Sequence, residues 1–140
     1  MAVLEVRFHP DAEDSLLKFA VIVSKTDGKW VFCKHRERST YEVPGGHREL
    51  GEPILETAKR ELYEETGALE YEIWPVCAYS VAADGQETYG MLYYADIRTF
   101  EGELHGEIER IAVMEQLPEN WTYPLIQPKL IAAVRRRGFL

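Results

Sequence analysis

The feature that most constrains the fold of this chain is a segment with clear helix start and stop signals, residues 53–66. Pro53 suits the first position of a helix, and Gly67 follows the last turn, where a left-handed residue often ends one. Apolar residues recur on one arc of this helix, which predicts that it packs on a sheet. The residues of this arc are Ile54, Leu55, Ala58 and Leu62.

The segments on both sides of this helix carry strand patterns. Residues 17–23 and 30–34 are rich in apolar residues and flank Asp27-Gly28, a pair typical of a two-residue hairpin turn. Strands around two helices predict an α/β layered sandwich with a mixed sheet. The other predicted elements are strands at 41–43, 70–80, 89–97 and 108–114, a turn around Asp84-Gly85 that joins the strands at 70–80 and 89–97, and a closing helix at 125–137.

The composition is that of a globular protein, with 140 residues, 46% hydrophobic and 29% charged. Lys and Arg number 16 against 24 Asp and Glu, and the resulting net charge of −8 argues against a nucleic-acid polymer as partner. The longest apolar stretch is far shorter than the roughly 20 residues that a membrane span needs. With no secretory signal and two cysteines that suit no disulfide framework, we expect one cytoplasmic domain over 1–140.

Three glutamates crowd the end of the predicted helix. Glu61, Glu64 and Glu65 stand at i, i+3 and i+4 and point the same way, and the helix dipole disfavours anions in its last turn. Arg60 can offset one carboxylate but not three. A divalent cation would resolve this repulsion, and a solvated acidic face is the alternative that the spacing leaves open.

The turn that precedes the helix favours the metal interpretation. Pro44 is expected to end the strand at 41–43, and Gly45-Gly46 gives backbone freedom beside the acidic helix. A carbonyl oxygen in such a turn is a hard ligand of the kind that Mg²⁺ binds, although a plain turn after Pro44 is the simpler alternative. Residues 47–52 are then expected to form a polar loop.

One continuous run resembles a known family motif. Residues 46–68 read GHRELGEPILETAKRELYEETGA, which is similar to the Nudix box, G-x5-E-x7-R-E-U-x-E-E-x-G-U. Ala68 departs from the bulky aliphatic residue of the pattern, and Leu69 follows it directly. The stretches 41–46 and 107–119 also resemble MutT-like members. The positions in register are Gly46, Glu52, Arg60, Glu61, Leu62, Glu64, Glu65 and Gly67.

The resemblance implies a fold and a reaction. The fold is a Nudix-type α/β/α sandwich, and the reaction is hydrolysis of a nucleoside diphosphate linked to another group, with Mg²⁺ or Mn²⁺ as cofactor. The MutT-like flanks favour a nucleoside triphosphate, normal or oxidised, cut to the monophosphate and pyrophosphate. The alternatives are another nucleoside-diphosphate derivative or a non-catalytic nucleotide-binding module of the same fold. Family members are often dimers, which makes a homodimer an expectation.

The resemblance also implies a metal site on the acidic helix. Glu61 and Glu65 are its principal ligands, Glu64 lies beside them, and the carbonyl of Gly45 completes the site. Arg60 would orient Glu61 through a charge-assisted hydrogen bond.

Further glutamates have roles implied in the same way. Glu52 would steady Arg60 or reach a second ion. Family members often use one more glutamate from outside the box, and Glu107 is the candidate, with Glu109 as the runner-up. Either Glu61 or Glu107 would accept the proton from the attacking water.

Substrate contacts are predicted at Glu42 and Tyr41. Glu42 would contact substrate or metal, with a solvated strand carboxylate as the alternative. His47 and Arg48 lie beside Gly46 and are candidates to contact a phosphate of the substrate. The other histidines are expected to have surface or packing roles. The aromatic residues that either stack on a base or belong to the core are Trp30, Tyr41, Tyr79, Tyr89 and Tyr93.

Overall fold

The computed structural model describes residues 4–102 and 108–139, with side chains for all of these except 108–110. A 3₁₀ turn at Asp14–Leu16 precedes β2, and the helices are α1 (Ile54–Thr66) and α2 (Gln127–Arg136). None of the helices in this part of the chain is long and apolar enough to cross a membrane. The strands are β1 (Glu5–His9), β2 (Leu17–Thr26), β3 (Lys29–His35), β4 (Gly45–His47), β5 (Ala68–Ala83), β6 (Gln86–Phe100) and β7 (Ile108–Met114).

Within the described residues, the strands form one sheet in the order β1-β5-β6-β2-β3-β7, and β4 also pairs with β2. Strands β2 and β6 run parallel, and the other pairs are antiparallel. The predicted mixed sheet is therefore confirmed. Both predicted hairpin turns form as well, because Asp27-Gly28 and Asp84-Gly85 have the positive φ angles that a tight two-residue turn needs.

Strand β2 is shared between two partners on one of its edges. Residues Phe19, Ala20 and Val21 pair with β4, while Ser24, Lys25 and Thr26 pair with β3. The sheet consequently forks beside β2, and β3 and β4 separate at this point. The fork places the end of β3, the turn before β4 and the first helix around one opening.

Helices cover both faces of the sheet. Side chains alternate along the strands, so Ile22 packs with Leu62 on the α1 side, whereas Val23 packs with Leu130 on the α2 side. The predicted α/β/α sandwich is confirmed. On α1 itself, Ala58 and Leu62 are fully buried as expected, but Leu55 is 38% exposed, since it lies at the border of the apolar arc.

The expectation for residues 41–47 is wrong in its placement of the strand. Tyr41 and Glu42 form only isolated bridges, and the paired strand is Gly45–His47, which was expected to be turn and loop. The physical reason is close backbone approach: a Cβ at Gly45 would lie 2.6 Å from the carbonyl oxygen of Ala20. Glycine thus allows the pairing that it was expected to end.

Candidate active site

A cavity of about 940 Å³ opens at the fork between β3 and β4. One part of its wall is charged and comes from α1, the end of β3 and the residues that follow β3, including His35, Arg38, Glu42, Arg60, Glu61 and Glu65. Another part comes from β2, β5, α2 and the segment that leads into α2, including Val21, Tyr79, Val81, Tyr123, Ile126 and Leu130. A ligand with one charged and one apolar end would match this wall.

Glu65 lies in the last turn of α1 and points back toward the start of β4. Its carboxylate accepts a hydrogen bond of 2.7 Å from the backbone amide of Gly45 and lies 3.4 Å from Nε2 of His35. Burial raises the pKa of Glu65 to about 8, although the Gly45 amide acts in the opposite direction. The nearby carboxylates of Glu61 and Glu42 raise the pKa of Glu65 further.

Glu61 lies one turn earlier and packs directly on Gly46. A Cβ at Gly46 would lie 2.6 Å from both carboxylate oxygens of Glu61, so only glycine leaves room for that carboxylate. Burial raises the pKa of Glu61 above its ordinary value, against the effect of its hydrogen bond with Arg60. Glu61 and Glu65 therefore stand together against the two glycines.

Arg60 holds the loop and the helix together. Its Nε and Nη2 donate to the carboxylate of Glu52 at 2.8 and 3.0 Å, and its Nη1 donates to Glu61 at 2.7 Å. Nη2 also donates to the carbonyl oxygen of His47, at 2.9 Å. The hydrogen bonds from Arg60 and Thr57 lower the pKa of Glu52 to about 2. Arg60 therefore contacts Glu52, Glu61 and the backbone of β4 at once.

Glu64 does not face the same way as its two neighbours. Its side chain is 52% exposed, and its carboxylate lies 3.4 Å from Nη1 of Arg60. The expectation that all three glutamates share one direction is wrong for Glu64, because the i+3 position is rotated away from the seam where α1 meets β4. Glu64 does not line the cavity.

His35 is a residue of the site that sequence reasoning missed. Its Nε2 contacts the carboxylate of Glu42, which also accepts a hydrogen bond of 3.2 Å from Arg38. Glu42 is buried, so the alternative of a solvated strand carboxylate is wrong. The available signal was strand alternation: Cys33 and His35 share one face of β3, and Glu42 bridges to Cys33.

Comparisons with known proteins show the family of this chain. A family model described as NUDIX domain matches residues 15–129. The chain belongs to the NUDIX domain family. The resemblance to the Nudix hydrolase family that the sequence indicated is confirmed.

One curated relative is the Bacillus subtilis (strain 168) protein named "Putative 8-oxo-dGTP diphosphatase YtkD". It is 33% identical over 104 residues, which cover 74% of this chain and 65% of that protein, so the match spans slightly less than two thirds of the relative.

Solved structures share the fold. A mutant of the Bacillus subtilis pyrophosphohydrolase BsRppH has a TM-score of 0.79 at 25% identity, covering 96% of this chain and 92% of that one. A NUDIX hydrolase from Nitrosomonas europaea has a TM-score of 0.68 at 20% identity, covering 86% of this chain and 89% of that one, and shows the fold alone.

The donor set of this Nudix site fits a divalent cation with a preference for hard oxygen ligands. The carboxylates of Glu61, Glu65 and Glu42 line the same cavity, and burial makes their mutual repulsion costly. Cys33 offers a sulfur within 4.8 Å of Glu42 and Glu65. Burial raises the pKa of that thiol well above its ordinary value, and the thiol donates to the carbonyl oxygen of Glu42, so it is not suited as a ligand.

The other predicted contact residues divide between site and core. Trp30, Tyr79 and Tyr93 are buried, and of these only Tyr79 lines the cavity, so Trp30 and Tyr93 offer no stacking surface there. Tyr41 is partly buried, packs against the core on the α2 side and does not line the cavity. Tyr89 lies near His9, with ring centroids 5.4 Å apart.

His47, at the end of β4, and Arg48 line the cavity but are held by other contacts. His47 packs against Phe19, with ring centroids 4.5 Å apart. Arg48 donates to the carboxylate of Asp14 at 2.9 Å and to the carbonyl oxygen of Glu52 at 2.6 Å. Both residues shape the loop that leads into α1.

The predicted glutamate from outside the box lies beyond the described structure. Glu107 falls outside the described residues, and the side chain of Glu109 is also outside them. Their roles stay predictions of the family resemblance.

Proposed function

We propose that this chain hydrolyses a nucleoside triphosphate, normal or oxidised, to the monophosphate and pyrophosphate, with Mg²⁺ or Mn²⁺ as cofactor. The observation that carries the proposal is the pair Glu61 and Glu65. Both carboxylates have pKa values raised by burial, and both lie against Gly45 and Gly46 of β4 on the wall of a cavity large enough for a nucleotide.

We assign the cation to Glu61 and Glu65, with Glu42 and the carbonyl of Gly45 as further oxygen donors. Glu64 is a peripheral member of this set, because its side chain is exposed and directed at Arg60. When bound, the cation supplies charge neutralisation of phosphate oxygens and lowers the pKa of a water molecule.

Arg60 and Glu52 act on the reaction through Glu61. Arg60 fixes the Glu61 carboxylate by a hydrogen bond of 2.7 Å, and Glu52 fixes Arg60 by two hydrogen bonds. Because Arg60 also binds the carbonyl oxygen of His47, the same guanidinium ties β4 to α1. Both are therefore positioning residues.

Glu61 is also a candidate to accept the proton from the attacking water. A base works best when its pKa is near the working pH, and burial moves Glu61 in that direction. Glu107 is the other candidate for this role, on the family resemblance alone. Arg36 and Arg38 lie on the cavity wall and supply positive charge toward the phosphates.

Two findings support a triphosphate as substrate. The curated relative carries a name that specifies 8-oxo-dGTP diphosphatase, and the neighbour at 25% identity is a pyrophosphohydrolase. The apolar wall with Tyr79 and Tyr123 gives a nucleobase an apolar surface away from the carboxylates.

The test is pyrophosphate and phosphate release from a panel of nucleotides with Mg²⁺, Mn²⁺ or chelator. The panel contains normal and oxidised triphosphates, ADP-ribose, dinucleoside polyphosphates and nucleotide sugars. We expect metal-dependent pyrophosphate release from triphosphates. Turnover of only another nucleoside-diphosphate derivative would replace the substrate, and no turnover by folded protein would favour a nucleotide-binding module.

A further inference from the structure

Glu42 has both of its carboxylate oxygens in contact with basic side chains that line the cavity. Its Oε1 contacts Nε2 of His35, and its Oε2 accepts a hydrogen bond of 3.2 Å from Nη1 of Arg38. The carboxylate itself is buried, and His35 and Arg38 reach it from the residues at and just after the end of β3. A cation that takes Glu42 as a ligand therefore competes with these two side chains for the same oxygens.

Of the two basic side chains, Arg38 is the one that can leave Glu42 more readily. Its side chain is 47% exposed, against 23% for His35. His35 also lies 3.4 Å from Glu65, so a second carboxylate holds it in place. Breaking an ion pair costs little when its arginine is half exposed, because water replaces the contacts that the guanidinium loses.

The cation site proposed above lies beside the Arg38 guanidinium. One oxygen of Glu42 and one of Glu65 lie within 4.8 Å of each other, so a cation held by Glu65 also stands next to Glu42. A divalent cation and a guanidinium on the same carboxylate repel each other. Arg38 is consequently a competitor of the cation at Glu42.

The backbone keeps Arg38 at the cavity when its side chain leaves Glu42. The amide of Arg38 donates to the carbonyl oxygen of His35 at 3.2 Å, which closes a turn directly after β3. Arg38 lines the same cavity as Glu61 and Glu65. A guanidinium presents a planar fork of donors that matches phosphate oxygens, so a phosphate bound at the cation is a suitable second partner.

We propose that Arg38 exchanges partners: it pairs with Glu42 without a cation and turns to a substrate phosphate when a divalent cation binds Glu42. The exchange couples the two ligands, because the cation frees the guanidinium that the phosphate binds. The phosphate in turn removes the competitor of the cation. This inference rests on the proposed function, since it adds a second state to a residue of the same site.

The first test is Mn²⁺ binding without nucleotide, measured by electron paramagnetic resonance of the free ion. R38Q removes the competing charge, so we expect it to bind Mn²⁺ about five- to tenfold more tightly than the wild type. R38K keeps the charge and should bind Mn²⁺ as the wild type does. Mn²⁺ binding by R38Q that is no tighter than that of R38K would overturn the inference.

A double-mutant cycle with E42Q separates competition at Glu42 from a general loss of positive charge. If Arg38 competes for this carboxylate, we expect R38Q to raise the Mn²⁺ affinity of E42Q by less than about twofold. R36Q is the matched control, because Arg36 lies on the same wall and its loss removes the same charge. A gain as large in R36Q, or in R38Q/E42Q relative to E42Q, would contradict the proposal.

The phosphate half of the exchange is measured by calorimetric titration with α,β-methylene-dGTP, a triphosphate whose α–β bridge resists hydrolysis. With saturating Mg²⁺, we expect R38Q to bind this nucleotide about tenfold more weakly than the wild type, opposite in sign to its effect on Mn²⁺. A side chain that only stabilised the fold would move both affinities in the same direction. Nucleotide binding by R38Q that is as tight as the wild type's would overturn the inference.

Neither binding measurement needs turnover, which separates this inference from the proposed function. If R38Q shows the two opposite changes but the wild type hydrolyses no triphosphate, the proposed function fails and the inference stands. If triphosphates are hydrolysed and R38Q changes neither affinity, the inference fails and the proposed function stands.

Discussion

Glutamates near the two ends of α1 have pKa values shifted in opposite directions. At the start of the helix, Glu52 is bound by Arg60 and Thr57, and its pKa falls to about 2. In the last turn, Glu65 is buried among other carboxylates, and its pKa rises to about 8. Glu52 is an anion that accepts hydrogen bonds from its neighbours, whereas Glu65 lies where burial and nearby carboxylates disfavour its negative charge.

The difference separates a carboxylate with a structural partner, Glu52, from one that we propose binds a cation, Glu65. A chain selected for stability alone would place a cation beside Glu65 as it places Arg60 beside Glu52. Among the described residues, Nε2 of His35 lies 3.4 Å from Glu65, and it also contacts Glu42. The crowding of Glu42, Glu61 and Glu65 is the feature that a divalent cation would relieve.

The largest expected effect is loss of turnover in E61Q and E65Q. Each change removes a negative charge from the proposed cation site and leaves the side-chain shape, so we expect kcat/KM to fall at least about a hundredfold. Circular dichroism and melting in chelator should show folded protein. E56Q on the exposed face of the same helix is the control, and near-wild-type rates in either site variant would remove that residue from the site.

R60K tests how far activity depends on the hydrogen bonds that Arg60 donates. Lysine keeps the charge but cannot bind Glu52, Glu61 and the His47 carbonyl at once, so we expect kcat/KM to fall by roughly ten- to a hundredfold. Steady-state kinetics with the best nucleotide of the panel measure this. If R60K is as active as wild type, Glu61 does not depend on Arg60 for its position.

G46A moves one carboxylate without removing it. The added Cβ would lie 2.6 Å from the carboxylate oxygens of Glu61, and this flexible side chain can shift at little cost in folding. We expect a loss of about tenfold in kcat/KM with a nearly unchanged melting temperature. G102A, where a Cβ would meet no atom of the described residues within 4 Å, is the matched control and should be neutral in both measurements.

The smallest expected effect is a pH dependence of folding stability, measured with a chelator present so that no metal ion is bound. Because the folded pKa of Glu65 is raised to about 8, the folded state binds its proton more tightly, and stability falls as pH rises from about 5 to 8. Glu52 has the opposite sign, and its stabilisation is lost only as pH falls toward about 2. Thermal melts should show a decrease of several degrees toward pH 8 that E65Q removes and E56Q keeps. An identical slope in E65Q would contradict this reading of Glu65.

Much of the fold could be predicted because its signals are local. The turns at Asp27-Gly28 and Asp84-Gly85 and the punctuation of α1 each depend on a few neighbouring residues. The strand at Gly45–His47 could not be predicted in this way, because it exists through close approach to Ala20 from a distant part of the chain. Glycine signals turn and close contact alike, and only the tertiary structure distinguishes them.

The site residues inside the sequence motif could be predicted, and those outside it could not. Motif spacing located Glu61, Glu65, Arg60 and Glu52, but spacing alone did not separate the exposed Glu64 from the other two. Strand alternation could have placed His35 on the same face as Cys33, but it does not identify the partners of His35. Its contacts with Glu42 and Glu65 arise only when β3 and α1 come together, so a single sequence does not reveal them.

The most direct test of the central claim is Mn²⁺ binding, measured by electron paramagnetic resonance of the free ion without nucleotide. The account predicts that wild-type protein and E56Q bind Mn²⁺ with equal affinity and that E65Q weakens binding at least about tenfold, since a ligand and a buried charge are lost. Equal Mn²⁺ affinity in E65Q and wild type would contradict the assignment of this end of α1 to a cation.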